Sequence, residues 1–173
     1  MQNKLNSLKL RMKDNNVDLV VLGPGTHMNW LLGFNPYPDE RPCMLLIGKE
    51  KEAFLMPSVN AEDARKRTDI AINSWNDENG PDQALKEALL YIGESSAKHI
   101  AIDEAMRSHF ALIVIEALPN PTYEFTGSTI GALRMRKDQA EFINLKENAL
   151  IDDRAMQAGF AAIKEGVTEL EIG

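Results

Sequence analysis

The residues best suited to chemistry lie in one short run, Asn35-Pro36-Tyr37-Pro38-Asp39-Glu40-Arg41-Pro42. Arg41 carries a planar fork that matches a carboxylate through two parallel hydrogen bonds. Tyr37 offers a stacking face, while Asp39 and Glu40 are placed to hold an amine or to orient the arginine. Three prolines between Pro36 and Pro42 deny the run regular structure and lower the entropy lost when a ligand binds. A presented binding loop and an ordinary solvated loop both fit these residues, and either kind lies at the surface.

Other patterns carry less chemistry. Gly23-Pro24-Gly25 opens like a dinucleotide fingerprint, but Met28 stands where the third glycine belongs, and Pro24 has no amide to donate. A structural turn is expected there. Gly48-Lys49 lacks the upstream glycine of a phosphate-binding loop, because Cys43 occupies that place. His27, His99 and His109 fall on separate elements without paired spacing, so each is expected at the surface or a strand end rather than as a metal ligand. Asp103-Glu104 ends a strand, where α/β proteins place active groups, although capping a following helix is the competing role. No G-x-S-x-G nucleophile pattern occurs.

Composition narrows the classes further. The 173 residues are 44% apolar and 26% charged, enough for one domain of about 130 residues and a tail. A net charge of −7 without a Lys/Arg cluster argues against nucleic acid, whose binding needs a positive patch. Met1 to Leu5 lacks the apolar core of a signal peptide, and no run approaches a membrane span, so a membrane partner is not expected. The single Cys43 sits in the apolar stretch Cys43-Met44-Leu45-Leu46-Ile47 and reads as core packing in a reducing compartment. The cytosol is the expected location.

The elements that must hold these residues alternate. Leu5, Leu8 and Met12 give a first helix, closed by Asn15-Asn16 before a buried strand, Val17 to Leu22. Thr26 is placed to cap a short helix that Gly33 stops. Cys43–Ile47 and Ala53–Met56 read as a hairpin across Gly48-Lys49-Glu50-Lys51, which makes the sheet mixed. Asn60 is placed to cap a helix to Arg67, and Ile70-Ala71-Ile72 runs into a strand ending near Trp75. Pro81 starts a helix that Gly93 ends. His99 to Asp103 is a strand, Met106 to Ala117 a helix stopped by Pro119, and Thr122 to Phe125 a last strand. This is an α/β fold, a mixed, mostly parallel sheet flanked by helices.

A long helix follows from Asp138. Phe142, Leu145, Ala149, Met156, Phe160 and Ile163 form an apolar stripe, with charged residues on the other faces. To Ile163 it would measure roughly 39 Å at the helical rise, so the stripe is expected to want a partner surface. Gly166 and the capping-box spacing Thr168-x-x-Glu171 announce another helix. The sequence is therefore expected to be the front part of a longer protein, with a natural C-terminus as the alternative.

Several of these stretches together resemble the N-terminal domain of creatinase, prolidase and aminopeptidase P proteins. They are Val17-Asp18-Leu19-Val20-Val21, Asn29-Trp30-Leu31-Leu32-Gly33-Phe34 and Arg41-Pro42-Cys43-Met44-Leu45-Leu46. Leu133 to Glu141, followed by Lys164 to Glu169, resembles the junction into that family's catalytic domain. The resemblance implies an N-terminal domain over residues 1–132, with residues 133–173 opening a pita-bread catalytic domain that lies beyond this chain. It also implies a homodimer, two divalent metal ions (Mn, Co or Zn) in the catalytic half, and hydrolysis of the bond before proline. None of the family's metal ligands is in these residues, so the fragment itself is expected to be inactive. By the same resemblance this loop reaches over the partner protomer's active site, and Arg41, Asp39 and Glu40 match the charged residues of prolidase-like members; Tyr37, chosen for its stacking face alone, completes the set expected to bind substrate in trans. Creatinase-type C–N hydrolysis, a lyase reaction, or a stand-alone dimerisation or small-ligand module remain open alternatives.

Overall fold

The computed structural model describes residues 2–172. They divide into two compact units, one running to Arg134 and the other starting at Met135.

The first unit is built on six strands in the order β4-β3-β2-β1-β5-β6. They are β1 (Leu19–Leu22), β2 (Met44–Ile47), β3 (Glu52–Pro57), β4 (Ala71–Trp75), β5 (His99–Ile102) and β6 (Thr122–Phe125). β1–β2 and β2–β3 pair antiparallel, and the other three pairings are parallel. It follows that β2 alone runs against the rest. The carboxyl ends of β1, β3, β4, β5 and β6 consequently share one edge, and β2 starts there.

Both faces of the sheet are covered, which is why its central strands are apolar at every position. Val20, Leu22, Leu45, Ile47, Phe54 and Met56 face α1 (Gln2–Asp14), α2 (Thr26–Leu32) and α3 (Ser58–Arg65). Leu19, Val21, Leu46, Leu55, Ile100 and Ile102 face α4 (Asp82–Ile92) and α5 (Ser108–Ala117). Burying each such side chain is worth about 1.5–3 kcal/mol, so two stacked cores need no cross-link.

The α/β class, the hairpin and the parallel partners follow the sequence reading, and several boundaries differ for local reasons. β1 begins at Leu19, because Asn16 takes a left-handed conformation (φ 55°) and Val17 turns back to donate to the Met12 carbonyl. Thr26 does not cap α2. Gly25 holds that position, and the Thr26 hydroxyl accepts from Arg134 instead. Gly33 does end α2, at φ 81°, where a side chain would be strained. α3 starts at Ser58 straight after Pro57, two residues before the expected Asn60 cap, and the Ser58 hydroxyl donates to the Trp75 carbonyl. After β6 the chain forms a 3-10 turn (Thr126–Ser128) and a short helix, α6 (Ile130–Met135), neither of which the apolar pattern announced.

The second unit contains α7 (Gln139–Ala162) and α8 (Glu169–Ile172). Asp138 caps α7 in a reciprocal box: its carboxylate accepts from the Glu141 amide, and the Glu141 carboxylate accepts from the Asp138 amide. Glu171 likewise accepts from the amide and the hydroxyl of Thr168. No side chain of α7 is buried, and Phe142, Leu145, Met156 and Phe160 are each more than half exposed. Ile143, Leu150 and Ile151 are exposed as well. At 100° per residue these three lie off the Phe142–Ile163 line, which corrects the single-stripe reading to a helix with apolar residues on several sides. Such helices are normally enclosed by neighbours.

Candidate functional site

Two groups of side chains gather at the carboxyl edge of the sheet, where ligands of open α/β sheets bind. The first is the loop Asn35–Pro42, fixed at both ends. Gly33 closes α2 on one side, and on the other the Trp75 indole N–H donates to the Pro42 carbonyl at 2.9 Å. Between these anchors His109 Nε2 lies 3.2 Å from the Glu40 carbonyl. Tyr37 is 81% exposed, and Glu40 is exposed beside it.

Asp39 and Arg41 are tied down. The Asp39 carboxylate accepts from the Arg41 amide at 2.8 Å, and its other oxygen lies 3.4 Å from Arg41 Nε. Arg41 Nη1 reaches Asp77, more loosely, at 3.8 Å. The Nε contact has ion-pair distance without hydrogen-bond direction, and this buried atom is left unsatisfied. A cavity of about 420 Å3 opens between the first half of the loop and α3, bounded by Phe34, Pro36, Tyr37, Val59, Asp63 and Arg67 and not by Arg41. The structure thus brings Arg41 and Asp39 into contact and leaves Tyr37 and Glu40 presented to solvent. Cys43 is buried beside them, and burial together with the Asp39 charge pushes its thiol up to about 12, which removes it as a nucleophile.

The second group was not foreseen. His27 is buried at 6% exposure, contrary to the surface position expected of it, while His99 and His109 stay near strand-end and helix-start positions. His27 meets Asp103 and Glu104 from the end of β5, with one ligand-type atom from each lying within 4.8 Å of the others. Glu104 Oε1 is 3.3 Å from His27 Nε2, and the Thr126 hydroxyl donates to Glu104 Oε2 at 2.6 Å. The same hydroxyl oxygen is 3.2 Å from His27 Nε2. On the other side of the ring, Arg134 Nη1 lies 2.9 Å from His27 Nδ1 and 3.0 Å from Thr26 Oγ1.

These contacts admit one placement of hydrogens. Arg134 can only donate, so Nδ1 accepts and the ring proton sits on Nε2, shared between Glu104 and Thr126. A metal-bound histidine needs a lone pair towards the ion and donates its other N–H to an acceptor. Here the other nitrogen faces a guanidinium, so the divalent ions implied by the resemblance do not fit this cluster. Burial raises the Glu104 carboxyl, yet hydrogen bonds from Thr126, its own amide and His27 outweigh it and hold the group at about 2. Asp103 moves the other way, raised by burial against the bond from the Ala105 amide. No spacing rule links positions 27, 103, 126 and 134. The one available signal was Asp103-Glu104 at a strand end.

Gly23 shows why the first strand ends as it does. A Cβ there would lie 2.9 Å from Met106 Cγ, so glycine lets the β5–α5 connection close over the end of β1. That contact explains the Gly23-Pro24-Gly25 turn without a nucleotide.

The creatinase/prolidase N-terminal domain model matches residues 4–136. The chain belongs to this family. Among curated proteins, an Xaa-Pro dipeptidase of Lactobacillus delbrueckii subsp. lactis is 25% identical over 178 residues, covering 95% of this chain and 46% of that protein. A solved dipeptidase from Pyrococcus horikoshii OT3 superposes with a TM-score of 0.84 at 24% identity, over 98% of this chain and 47% of the other. The creatinase/prolidase N-terminal domain of an X-Pro dipeptidase from Streptococcus pyogenes, solved alone, gives 0.65 at 16% identity, over 72% of this chain and 94% of that one. The chain spans about half the length of the curated relatives it matches. These structures share its fold. No described helix is long and apolar enough to cross a membrane.

Proposed function

We propose that this chain is the N-terminal, substrate-access domain of a cytosolic Xaa-Pro dipeptidase that works as a homodimer. Residues 1–132 form the domain, and residues 133–173 lead into the catalytic half. The curated relative named as an Xaa-Pro dipeptidase, of which this chain covers 46%, supports both the substrate class and the two-part organisation. The hydrolytic centre and its pair of divalent ions (Mn, Co or Zn) belong to that catalytic half.

The part played by the present residues is recognition. The loop Asn35–Pro42 of one protomer reaches the partner's substrate, where Arg41 receives the proline carboxylate, Tyr37 lies against the ring, and Asp39 and Glu40 set the charge of the entrance. The observation that carries this assignment is the loosely engaged Arg41 Nη1, 3.8 Å from Asp77 in a stiff, anchored loop. A carboxylate arriving at the terminal nitrogens of the guanidinium competes with Asp77 at 3.8 Å rather than with a well-formed pair. In the full-length enzyme Arg41→Ala is expected to raise KM for Xaa-Pro dipeptides more than about tenfold, a loss of roughly 1.5–3 kcal/mol. Arg41→Lys does not rescue it, because an ammonium lacks the fork. An unchanged KM overturns the loop assignment.

A further inference from the structure

The His27 cluster contains two carboxylates, Asp103 and Glu104, and a ring whose two nitrogens face opposite kinds of partner. Nε2 looks toward the acids at the end of β5 and toward Thr126, while Nδ1 looks toward Arg134, in the last turn of α6. The charged groups facing the ring are Asp103 and Glu104 from β5 and Arg134 from α6. Thr26 and Thr126 add neutral oxygens from α2 and the 3-10 turn. The geometry points to a proton-operated latch, in which Arg134 and a second proton on His27 compete for the same lone pair at Nδ1.

With the ring neutral, Nδ1 accepts from Arg134, and the guanidinium clamps the end of α6 onto the start of α2. When the ring takes a proton at Nδ1, an N–H faces an N–H at 2.9 Å, and two cations stand side by side. Nε2–H stays bonded to the acid side of the ring, so Arg134 is the partner that leaves. Proton uptake by histidine falls between about pH 5 and 8 in ordinary surroundings. One proton enters, and Arg134 Nη1 gives up its bond to Nδ1 and with it its hold on Thr26. What is released is the final turn of the first unit, from Ile130 to Arg134, the segment that leads into residues 135–173. This holds whatever reaction the whole protein performs.

The test follows the chain itself from pH 8 to pH 5. Nitrogen-15 NMR of the imidazole reports which nitrogen carries the proton, and hydrogen exchange, normalised for its intrinsic pH dependence, follows the amides of residues 130–134. The expected result is an Nε2–H ring at pH 8. On acidification, double protonation should accompany a rise in exchange of about tenfold or more. His27→Asn places a carbonyl where Nδ1 stood and has no proton to take, so its exchange should stay slow at both pH values. Arg134→Met should be fast at both. An Nδ1–H ring at pH 8, or the same pH step in His27→Asn as in the parent, overturns the latch. Should His27→Asn fail to fold, the tautomer in the unaltered chain decides the matter alone.

Discussion

At the scale of single residues, environment decides what each titratable group does. Glu104 and Asp103 are neighbours in sequence, yet one carboxyl is held at about 2 and the other is raised, because Glu104 meets three donors while Asp103 is buried deeper. A depressed carboxyl stabilises the fold fully above its ordinary value of 4.5 and loses that contribution as the pH falls toward 2. Asp18, lowered by Lys49 and the amides of Lys98 and His99 against the opposing effect of burial, acts in the same direction. Glu104→Gln should therefore flatten the loss of stability in this acid window, seen as a smaller change of denaturation midpoint between pH 5 and 3. Because the Glu104 side chain is 48% exposed, solvent screening holds the difference to the order of 1 kcal/mol. An acid slope identical to that of the parent chain removes Glu104 from the account.

Elements were more legible than sites. Strand ends at Leu22, Ile47 and Phe125 could be read from apolar runs and their breakers, because a strand covered on both faces leaves an unmistakable run, whereas β5 stops at Ile102, one residue short of the expected Asp103. The first residues of helices were harder. Asn60 looked like a cap, but Pro57 had already set the backbone for α3. Asp138 lay just ahead of the long helix, and only the structure exposed its reciprocal box with Glu141. Removing that cap by Asp138→Ala should cost about 1 kcal/mol of local helix stability and speed exchange of the Glu141 amide. Exchange unaltered there would mean the start of α7 is held by something else. The loop Asn35–Pro42 was legible as a presented segment because prolines speak locally. The engagement of Arg41 with Asp77 was not, since the partner comes from another connection 36 positions along the chain. The His27 cluster fails for the same reason on a larger scale, joining residues up to 107 positions apart.

For the whole molecule, the two units differ in how they meet water. The first carries two closed cores, while the second exposes Phe142, Leu145, Met156, Phe160 and Leu170. Ending the chain after Arg134 should leave cooperative unfolding intact, with the midpoint shifted by no more than about 3 °C. The same change should reduce concentration-dependent association seen by sedimentation, since exposed apolar residues of this size drive self-contact. Loss of cooperative unfolding in the shorter chain would show that the first unit does not stand by itself.

The lone reversed strand also bears on how this architecture comes into being. From Val21 to its neighbour Leu46 is a step of 25 residues, whereas from Val21 to Ile102 is a step of 81. Closing the shorter loop loses less chain entropy, so the meander from β1 to β3 can zip up while the later strands are still being synthesised. The half that carries the arginine loop is thus the early half, and the histidine knot is tied last, when Arg134 emerges to reach back to a helix already in place.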